Sequence, residues 1–197
     1  MNWSATWAAG SYAAGTYDAT VTATATDAAG NTATASRSVH VDTEVVPLDI
    51  DTTSTGADDV LNATEAALGL TVTGSVEPGS TVMVRLATGT AVAATVAADG
   101  SWSAVIPASQ IPAGETTAAI TVTATDAVGN VATVSGTVEI DTVVRNFHVT
   151  GEIAGDGIVN AAEATAGVTL TGTVEPLSTV VVALSNGASL STTATAE

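Results

Sequence analysis

Apolar and polar residues alternate along residues 118–142, with a single interruption at residues 126–130. Ile120, Val122 and Ala124 alternate with threonines, which is the period of a half-buried β-strand. The interruption reads Asp-Ala-Val-Gly-Asn, and Asp, Gly and Asn are residues that favour tight turns. Alternation then resumes until the chain reaches Asp-Thr. This stretch therefore predicts a β-hairpin.

The same hairpin pattern occurs earlier, at residues 19–43. Asp27 corresponds to Asp126 and Asp42 to Asp141, an offset of 99 residues in both cases. Later in the chain, residues 58–99 match residues 156–197 at an offset of 98. A period near 100 residues with one such hairpin in each period predicts an array of β-domains.

The repeats predict three segments. Residues 1–42 form the second half of a repeat, residues 43–141 a complete repeat, and residues 142–197 the first half of another. We call them the N-terminal half-repeat, the central repeat and the C-terminal half-repeat.

The central repeat is predicted to contain about seven short strands separated by turns. The predicted strands are Leu48–Asp51, Leu68–Val76, Thr81–Ala87, Ala91–Val96, Trp102–Ile106 and the two arms of the hairpin. Residues 57–67 are the exception and predict a helical turn capped by Asp58 or Asp59. The fold class is therefore all-β, with tandem immunoglobulin-like antiparallel β-sandwich repeats. The expected core contains Val72, Val84, Trp102, Val122 and Val138.

Composition narrows the possible partners. The chain of 197 residues is 46% apolar but only 3% aromatic, which predicts thin cores. Its formal charge is −17, with 3 Arg and no Lys, so we expect neither nucleic acid nor anionic membranes as partners. An acidic surface attracts cations, although it also simply keeps a long array in solution. Cysteine is absent, so a secreted domain of this kind must rely on its core or on bound metal.

Neither a membrane segment nor a catalytic site is expected. No run of 18 apolar residues is present, and residues 1–3 begin inside a strand pattern rather than a signal peptide. His40 and His148 are the only histidines, and neither lies in a recognisable Ser/His/Asp arrangement. His40 is expected on the outward face of its strand. The sequence therefore predicts that the protein is not an enzyme.

Several short motifs recur in a fixed order along the chain. Each repeat ends in Asp-Thr, and the complete set in the central repeat is DDVLNATE at 58–65, GSVEPG at 74–79, DGSW at 99–102 and DAVGN at 126–130. This pattern resembles the bacterial Ig-like repeats of large surface adhesins, including biofilm-associated and RTX-type adhesins. The resemblance implies an extender that holds a tip domain away from the cell and serves adhesion or biofilm formation. It also implies a location at the extracellular bacterial surface, neighbouring repeats as partners, and Ca²⁺ at domain junctions. The linkers differ from the familiar Thr-Ala-Pro, because the chain has TEVVP at 43–47 and TVVR at 142–145.

Carboxylates are the candidate Ca²⁺ ligands, because Ca²⁺ takes six to eight oxygens. A sandwich gathers its loops at two poles, and we expect the end of one repeat to meet the loops after strand two and inside the last hairpin of the next repeat. The candidates, most of which have an acidic counterpart in another repeat, are Asp42, Asp58, Asp59, Glu65, Glu77, Asp126, Asp141, Asp156, Glu163 and Glu175. An Asp in a turn is also commonly an Asx-turn or a helix cap, and this alternative stays open.

Two further hypotheses follow from the pattern. The Thr-x-Thr runs at 20–26 and 121–125 predict flat rows of hydroxyls that could bind ice or carbohydrate, although Thr is also an ordinary residue of a solvent-facing strand. In addition, the two half-repeats contain complementary halves of one repeat. Two chains could therefore pair head to tail, unless both ends are only partly ordered.

Overall fold

The computed structural model describes residues 2–53 and 58–196. The chain divides into two compact units, Met1–Thr142 and Val143–Glu197. Unit 1 contains the N-terminal half-repeat and the central repeat, and unit 2 contains the C-terminal half-repeat.

The N-terminal half-repeat is a long antiparallel hairpin of β1 (Thr16–Thr26) and β2 (Thr32–Asp42). Its register runs from Thr16 opposite Asp42 to Thr26 opposite Thr32. Along β1 the threonines are exposed while Tyr17, Ala19, Val21 and Ala23 are half-buried, as the alternation predicts.

The described residues of the central repeat form nine strands and one α-helix. They are β3 (Leu48–Thr53), β4 (Val60–Asn62), α1 (Ala63–Leu68), β5 (Leu70–Val76), β6 (Thr81–Leu86), β7 (Val92–Ala93), β8 (Thr95–Val96), β9 (Ser101–Ile106), β10 (Glu115–Thr125) and β11 (Val131–Asp141). A 3₁₀ turn lies at Ala108–Gln110.

Two sheets build this repeat. One sheet has the order β4-β11-β10-β6-β7 and the other β3-β5-β9-β8. All neighbours are antiparallel except β4 and β11, which are parallel. The all-β immunoglobulin-like sandwich predicted from sequence is confirmed.

The core lies between the inward faces of the two sheets. The predicted core residues Val72, Val84, Trp102, Val122 and Val138 are all buried in one apolar cluster. Period-two alternation therefore identified the correct face of each strand, because only one face of each sheet is covered.

The short strand β4 lies in a stretch that the sequence predicted to be helical, and it is parallel to its neighbour. Three further details differ from the sequence predictions. The helix begins at Ala63 rather than near residue 57, which lies outside the described residues, and its cap is Asn62 instead of Asp58 or Asp59. The Asn62 side chain accepts from the backbone N–H groups of Thr64 and Glu65, and the Glu65 side chain accepts from the Asn62 N–H, which forms a capping box.

The other two differences concern strand limits. Leu68 was expected to face inward at the start of β5, but it ends α1 and is exposed because Gly69, with φ of 91°, turns the chain there. The predicted strand Ala91–Val96 is instead two short strands in different sheets, since β7 pairs with β6 and β8 pairs with β9.

Within the C-terminal half-repeat, the residues up to 196 form four strands and one α-helix. They are β12 (His148–Thr150), α2 (Ala161–Ala166), β13 (Thr171–Thr173), β14 (Thr179–Ala183) and β15 (Ser189–Thr193), with a 3₁₀ turn at Ile153–Gly155. β12 pairs with β13, and β14 pairs with β15. Asn160 and Glu163 repeat the capping box of α1. The α-helices among the described residues have six residues each, too short to cross a bilayer.

The Trp102 side chain restricts the residue that can occupy position 74 in the neighbouring strand β5. Gly74 lies directly opposite Trp102 in the β5–β9 register. A Cβ at Gly74 would lie 2.5 Å from Trp102 Cζ2 and closer still to the carbonyl oxygen of Asp49. Position 74 requires glycine, because the indole ring of Trp102 and the backbone of β3 occupy the space that a side chain would need.

We predict that Gly74→Ala destabilises unit 1 by about 1–3 kcal/mol, because the added methyl overpacks the core beside Trp102. Chemical unfolding followed by tryptophan fluorescence measures the change. Gly136→Ala in β11 is the matched control, since its Cβ would meet only Ile50 Cδ1 at an ordinary 3.5 Å. Equal effects of the two substitutions would contradict this explanation of Gly74.

Candidate metal centre

Three carboxylates from distant parts of the sequence meet at one pole of the central repeat. Asp42 is the last residue of β2, Glu77 follows β5, and Asp126 follows β10. One carboxylate oxygen of each lies within 4.8 Å of the others. The last residue of the N-terminal half-repeat therefore meets two loops of the central repeat, and we call this group the junction cluster.

The loop after β10 holds the Asp126 carboxylate in a fixed position. Its Oδ1 accepts from the backbone N–H groups of Val128, Gly129 and Asn130 at 2.9, 2.6 and 2.8 Å. Its Oδ2 accepts from Asn130 Nδ2 at 2.7 Å. Burial raises the pKa of Asp126, but the hydrogen bonds from the Asn130 side chain and from the three backbone N–H groups outweigh it and lower the pKa below its ordinary value.

The corresponding loop in the N-terminal half-repeat shows that this geometry is local. Asp27 Oδ1 accepts from the backbone N–H groups of Ala29 and Asn31, and Asn31 Nδ2 donates to Asp27 Oδ2 at 2.8 Å. Hydrogen bonds from the Asn31 side chain and backbone lower the pKa of Asp27 as well. Within the described residues Asp27 belongs to no group of three ligand side chains. The Asp-x-x-Gly-Asn sequence therefore forms the loop without help from a cluster.

Asn130 links Asp126 to Asp42. Its Nδ2 group donates to Asp42 Oδ1 at 3.3 Å in addition to its bond with Asp126. The hydroxyl of Thr16 donates to the same Asp42 oxygen at 3.1 Å. The carboxylate that ends the N-terminal half-repeat is thus tied both to its own hairpin and to the last hairpin of the central repeat.

Glu77 connects the cluster to the linker. Its backbone N–H donates to the carbonyl of Pro47 at 2.9 Å, and its Oε2 accepts from the backbone N–H of Val46 at 3.4 Å. Val45 is buried in the core of the central repeat, with 4% of its surface exposed. The linker therefore lies against the central repeat, although its sequence differs from Thr-Ala-Pro.

The other acidic candidates of the central repeat lie outside the junction cluster. Asp58 accepts from the backbone N–H of Val60 at 3.3 Å, and the neighbouring Asp59 has a positive φ of 61°. Glu65 belongs to the capping box of α1. Asp141 ends β11 beside Asn62 of β4. Asp58 and Glu65 thus occupy the turn and cap that were the alternative to metal binding, and as ligands all four remain predictions.

The candidates of the C-terminal half-repeat show the same local bonds. Asp156 accepts from the backbone N–H of Ile158 at 2.9 Å, Glu163 caps α2, and Glu175 Oε2 accepts from the backbone N–H of Arg145 at 3.1 Å. Throughout residues 2–53 and 58–196, the junction cluster is the one group of three His, Cys, Asp or Glu side chains close enough to share an ion.

The donor set of the junction cluster suits a hard cation. Its three candidate ligands are carboxylates, and Ca²⁺ and Mg²⁺ prefer oxygen, whereas zinc is usually bound through Cys and His. Three negative charges this close also repel one another, and a cation between them would remove that cost. Three carboxylates at this spacing are therefore the type of group that can hold a hard divalent cation such as Ca²⁺ or Mg²⁺.

Sequence reasoning found the three carboxylates but missed Asn130 and Val45. Asn130 was interpreted only as a turn residue, and no signal in one sequence shows that its amide reaches Asp42. Val45 was part of a linker with an unfamiliar sequence. The one signal in the sequence was the apolar run Val45-Val46-Pro47, which indicates that the linker packs against a neighbouring repeat.

We predict that, in EDTA, unit 1 loses stability as the pH is lowered. The loss should begin at about pH 4, the ordinary Asp pKa, and should be complete below the lower pKa that Asp126 has in the folded protein. A carboxyl with a lower pKa in the folded state stabilises that state above its unfolded pKa, and protonation removes this contribution. Asp126→Asn has no charge to titrate, so its unfolding free energy should change less over pH 5 to 2. Urea unfolding across this range measures both proteins, and parallel pH profiles would contradict the assignment.

Comparisons with known proteins show what this chain is similar to. The model of the bacterial Ig domain family matches residues 58–133, which lie within the central repeat. One similar solved structure is a Ca²⁺-stabilized adhesin that helps an Antarctic bacterium reach out and bind ice. It is 33% identical, the match covers 92% of this chain and 46% of that one, and the TM-score is 0.44. Another is a tetra-tandem repeat in the extending region of a large adhesion protein, with 23% identity, coverage of 92% and 46%, and a TM-score of 0.39.

The chain spans less than half the length of each of these two solved chains. The search of curated proteins found no match. The matched residues include β4 to β10 and the Asp-x-x-Gly-Asn hairpin loop at residues 126–130. Over residues 58–133, the chain is therefore similar to the bacterial Ig domain family.

Proposed function

We propose that this chain is an extender segment of a bacterial cell-surface adhesin, stiffened by Ca²⁺ at the junctions between its repeats. The junction cluster carries this proposal, because Asp42 belongs to one repeat while Glu77 and Asp126 belong to the next. An ion bound by all three would join consecutive repeats directly. The role is mechanical, and no catalytic step is proposed.

Tandem sandwiches suit a spacer. The strands β10 and β11 have 11 residues each, which is about 37 Å at 3.4 Å per residue. Each repeat of this kind therefore adds a few nanometres, provided that its junctions resist bending. The bonds of Val46 and Pro47 to Glu77, together with the buried Val45, already limit bending at the first junction.

A cation would add a bond that protein groups alone do not supply. Asn130 bridges Asp42 and Asp126, but it offers neutral donors to charged groups and does not cancel their repulsion. In the alternative interpretation, the Asn130 bridge is the whole junction and the cluster needs no ion. The two interpretations differ in their response to calcium, which the first experiment below uses.

The proposed setting follows from the same features. An extender of an adhesin works outside the cell, at the bacterial surface, with neighbouring repeats of its parent chain as partners and cell adhesion or biofilm formation as the outcome. The formal charge of −17 disfavours nucleic acid and anionic membranes. The absence of cysteine leaves metal and core packing as sources of stability.

We predict that unit 1 melts at a higher temperature in millimolar CaCl₂ than in EDTA. An ion that binds only the folded state stabilises it by about 2.7 kcal/mol at one hundred times the dissociation constant. Glu77→Gln keeps the acceptor for Val46 but removes one charge, so the calcium-induced rise should shrink. Differential scanning calorimetry measures the transition.

Glu175→Gln is the matched control for this experiment. Glu175 makes the corresponding bond to a linker backbone N–H, that of Arg145, but it belongs to no group of three ligand side chains in the described part of the chain. Its variant should keep the full calcium response of unit 1. A melting temperature that calcium leaves unchanged in the unsubstituted chain would reject the proposal, and so would an equal response in both variants.

A second candidate function rests on the outward face of the β1–β2 hairpin. Hydroxyl-bearing residues face one another in four consecutive exposed pairs: Thr20–Ser38, Thr22–Ser36, Thr24–Thr34 and Thr26–Thr32. The hydroxyl oxygens of Thr22 and Ser36 are 2.8 Å apart. Two regular rows of hydroxyls form a flat polar surface that could bind ice or carbohydrate directly. Thr is nevertheless common on any solvent-facing strand.

If this surface binds ice or glycans, micromolar protein should produce thermal hysteresis or a glycan-array signal, and Thr24→Lys should abolish it. The lysine interrupts the flat rows without touching the core, because Thr24 is exposed. Ala28→Lys in the adjoining loop is the control and should keep the signal. If the unsubstituted chain gives neither signal, the extender role alone remains.

A further inference from the structure

Ser80, between β5 and β6, is a buried serine with an unsatisfied hydroxyl. The residue is 5% exposed, and its hydroxyl oxygen neither reaches solvent nor forms a hydrogen bond with any group in the described part of the chain. A buried hydroxyl of this kind costs free energy, because it has given up its hydrogen bonds to water. One explanation of such an atom is a bound ion or water that completes its contacts.

A tight turn places Ser80 beside Glu77. The backbone N–H of Ser80 donates to the carbonyl of Glu77 at 3.1 Å, with Pro78 and Gly79 at the two central positions of the turn. Gly79 has φ of 89°, as the second central position of a type II turn requires. The Cα atoms at the two ends of such a turn lie less than about 7 Å apart. Ser80 is therefore a close neighbour of one member of the junction cluster.

The pairing of β6 with β10 places Ser80 beside Asp126 as well. The last pair is Thr81 opposite Thr125, so the antiparallel register puts Ser80 opposite Asp126 one step further on. Side chains directly opposite one another have Cβ atoms about 4.5–5.5 Å apart. Alternation turns both side chains to the inner face of the sheet, and both residues are buried, 5% and 8% exposed. Within residues 2–53 and 58–196, these two are the buried polar or charged residues.

We propose that the hydroxyl oxygen of Ser80 is a further ligand of the ion in the junction cluster, beside the carboxylates of Asp42, Glu77 and Asp126. This inference rests on the Ca²⁺ site of the proposed function. A hydroxyl oxygen has two lone pairs that can contact a cation. Ca²⁺ takes six to eight oxygens, so three carboxylates leave room for a neutral ligand. Because Ser80 has no charge, it adds a ligand without adding to the repulsion between the carboxylates.

Calorimetric titration of the full chain with CaCl₂ tests this inference. Ser80→Ala should bind Ca²⁺ roughly tenfold more weakly, the lower end of the loss seen when a group that supports a metal site is removed. Ser178→Ala is the matched control. The backbone N–H of Ser178 makes the corresponding turn bond to the carbonyl of Glu175 at 3.4 Å, but Glu175 belongs to no group of three ligand side chains in the described ranges. This variant should keep the affinity of the unsubstituted chain.

Melting in EDTA distinguishes a ligand from a structural hydroxyl. Without calcium, Ser80→Ala should melt no lower than the unsubstituted chain, because the substitution removes a buried hydroxyl that has no hydrogen bond among the described residues. In millimolar CaCl₂ the unsubstituted chain should melt higher than the variant. Equal losses of stability in both media would overturn the inference, because a structural hydroxyl acts with or without an ion.

A thiol at position 80 tests for direct contact with the ion. The chain has no cysteine, so Ser80→Cys introduces a single thiol. Thiolate is a soft ligand, so this variant should bind Cd²⁺ more tightly than the unsubstituted chain and show the near-ultraviolet absorption of a Cd–thiolate bond. Ser178→Cys is the control and should need a higher Cd²⁺ concentration for the same absorption. Equal Cd²⁺ responses of the two cysteine variants would overturn direct ligation by position 80.

These measurements also separate the role of Ser80 from the proposed function. If the unsubstituted chain binds no Ca²⁺, the proposed function fails and the role of Ser80 fails with it. If the unsubstituted chain binds Ca²⁺ and Ser80→Ala binds it equally well, the junction site stands and the role of Ser80 alone is overturned.

Discussion

The amide group of Asn130 is the contact on which the geometry of the first junction depends. By donating to Asp126 and to Asp42, it joins the last hairpin loop of one repeat to the end of the preceding one. Asp126 is itself held by three backbone N–H groups, so the bridge starts from a fixed carboxylate. Glu77 then reaches the same place from the loop after β5 while it holds the linker. A local loop motif thus determines where the charges of a long-range cluster lie.

The junction cluster brings three carboxylates into a small space in a chain with few positive charges, so like-charge repulsion opposes the hydrogen bonds that hold them there. A bound cation would relieve this repulsion. In the proposed extender, calcium would convert a repulsive contact into one that holds consecutive repeats together. The pole of a sandwich is the place where loops from two repeats lie near one another.

The sequence predicted the fold well because each strand buries only one face. Period-two alternation therefore identified Val72, Val84 and Val122 as core residues, and the 99-residue offset located the hairpins. It failed where tertiary partners decide the outcome. The start of α1 depends on the cap at Asn62, and the split of residues 91–96 depends on which sheet each residue reaches.

The candidate site was also predictable from the sequence only in part. The acidic residues were visible in the sequence. Because the loops of a sandwich gather at its poles, Asp42 was expected to lie near Glu77 and Asp126. Most of the other acidic candidates have partners within a few residues, because Asp and Glu also cap helices and stabilise turns. Only distances between side chains distinguish a cap from a cluster, and such distances are not encoded in spacing along the chain.

The two half-repeats show which strands form without the rest of a repeat. Residues 2–7 resemble β9 in sequence, yet they form no strand, because a strand of this length needs a neighbour to satisfy its backbone groups. By contrast, the hairpin β1–β2 supplies its own partner and keeps the full register of β10–β11. Local sequence therefore specifies the hairpins in this chain. β12 and β13, which are distant in sequence, also pair within the C-terminal half-repeat, whereas residues 2–7 form no strand.

The most direct test of the central claim is a crystal structure of the chain grown in millimolar CaCl₂, with anomalous diffraction data to locate calcium. We predict an anomalous peak between Asp42, Glu77 and Asp126, at about 2.3–2.6 Å from a carboxylate oxygen of each. A map without a peak at this position, in which the Asn130 amide alone joins the two aspartates, would contradict the account.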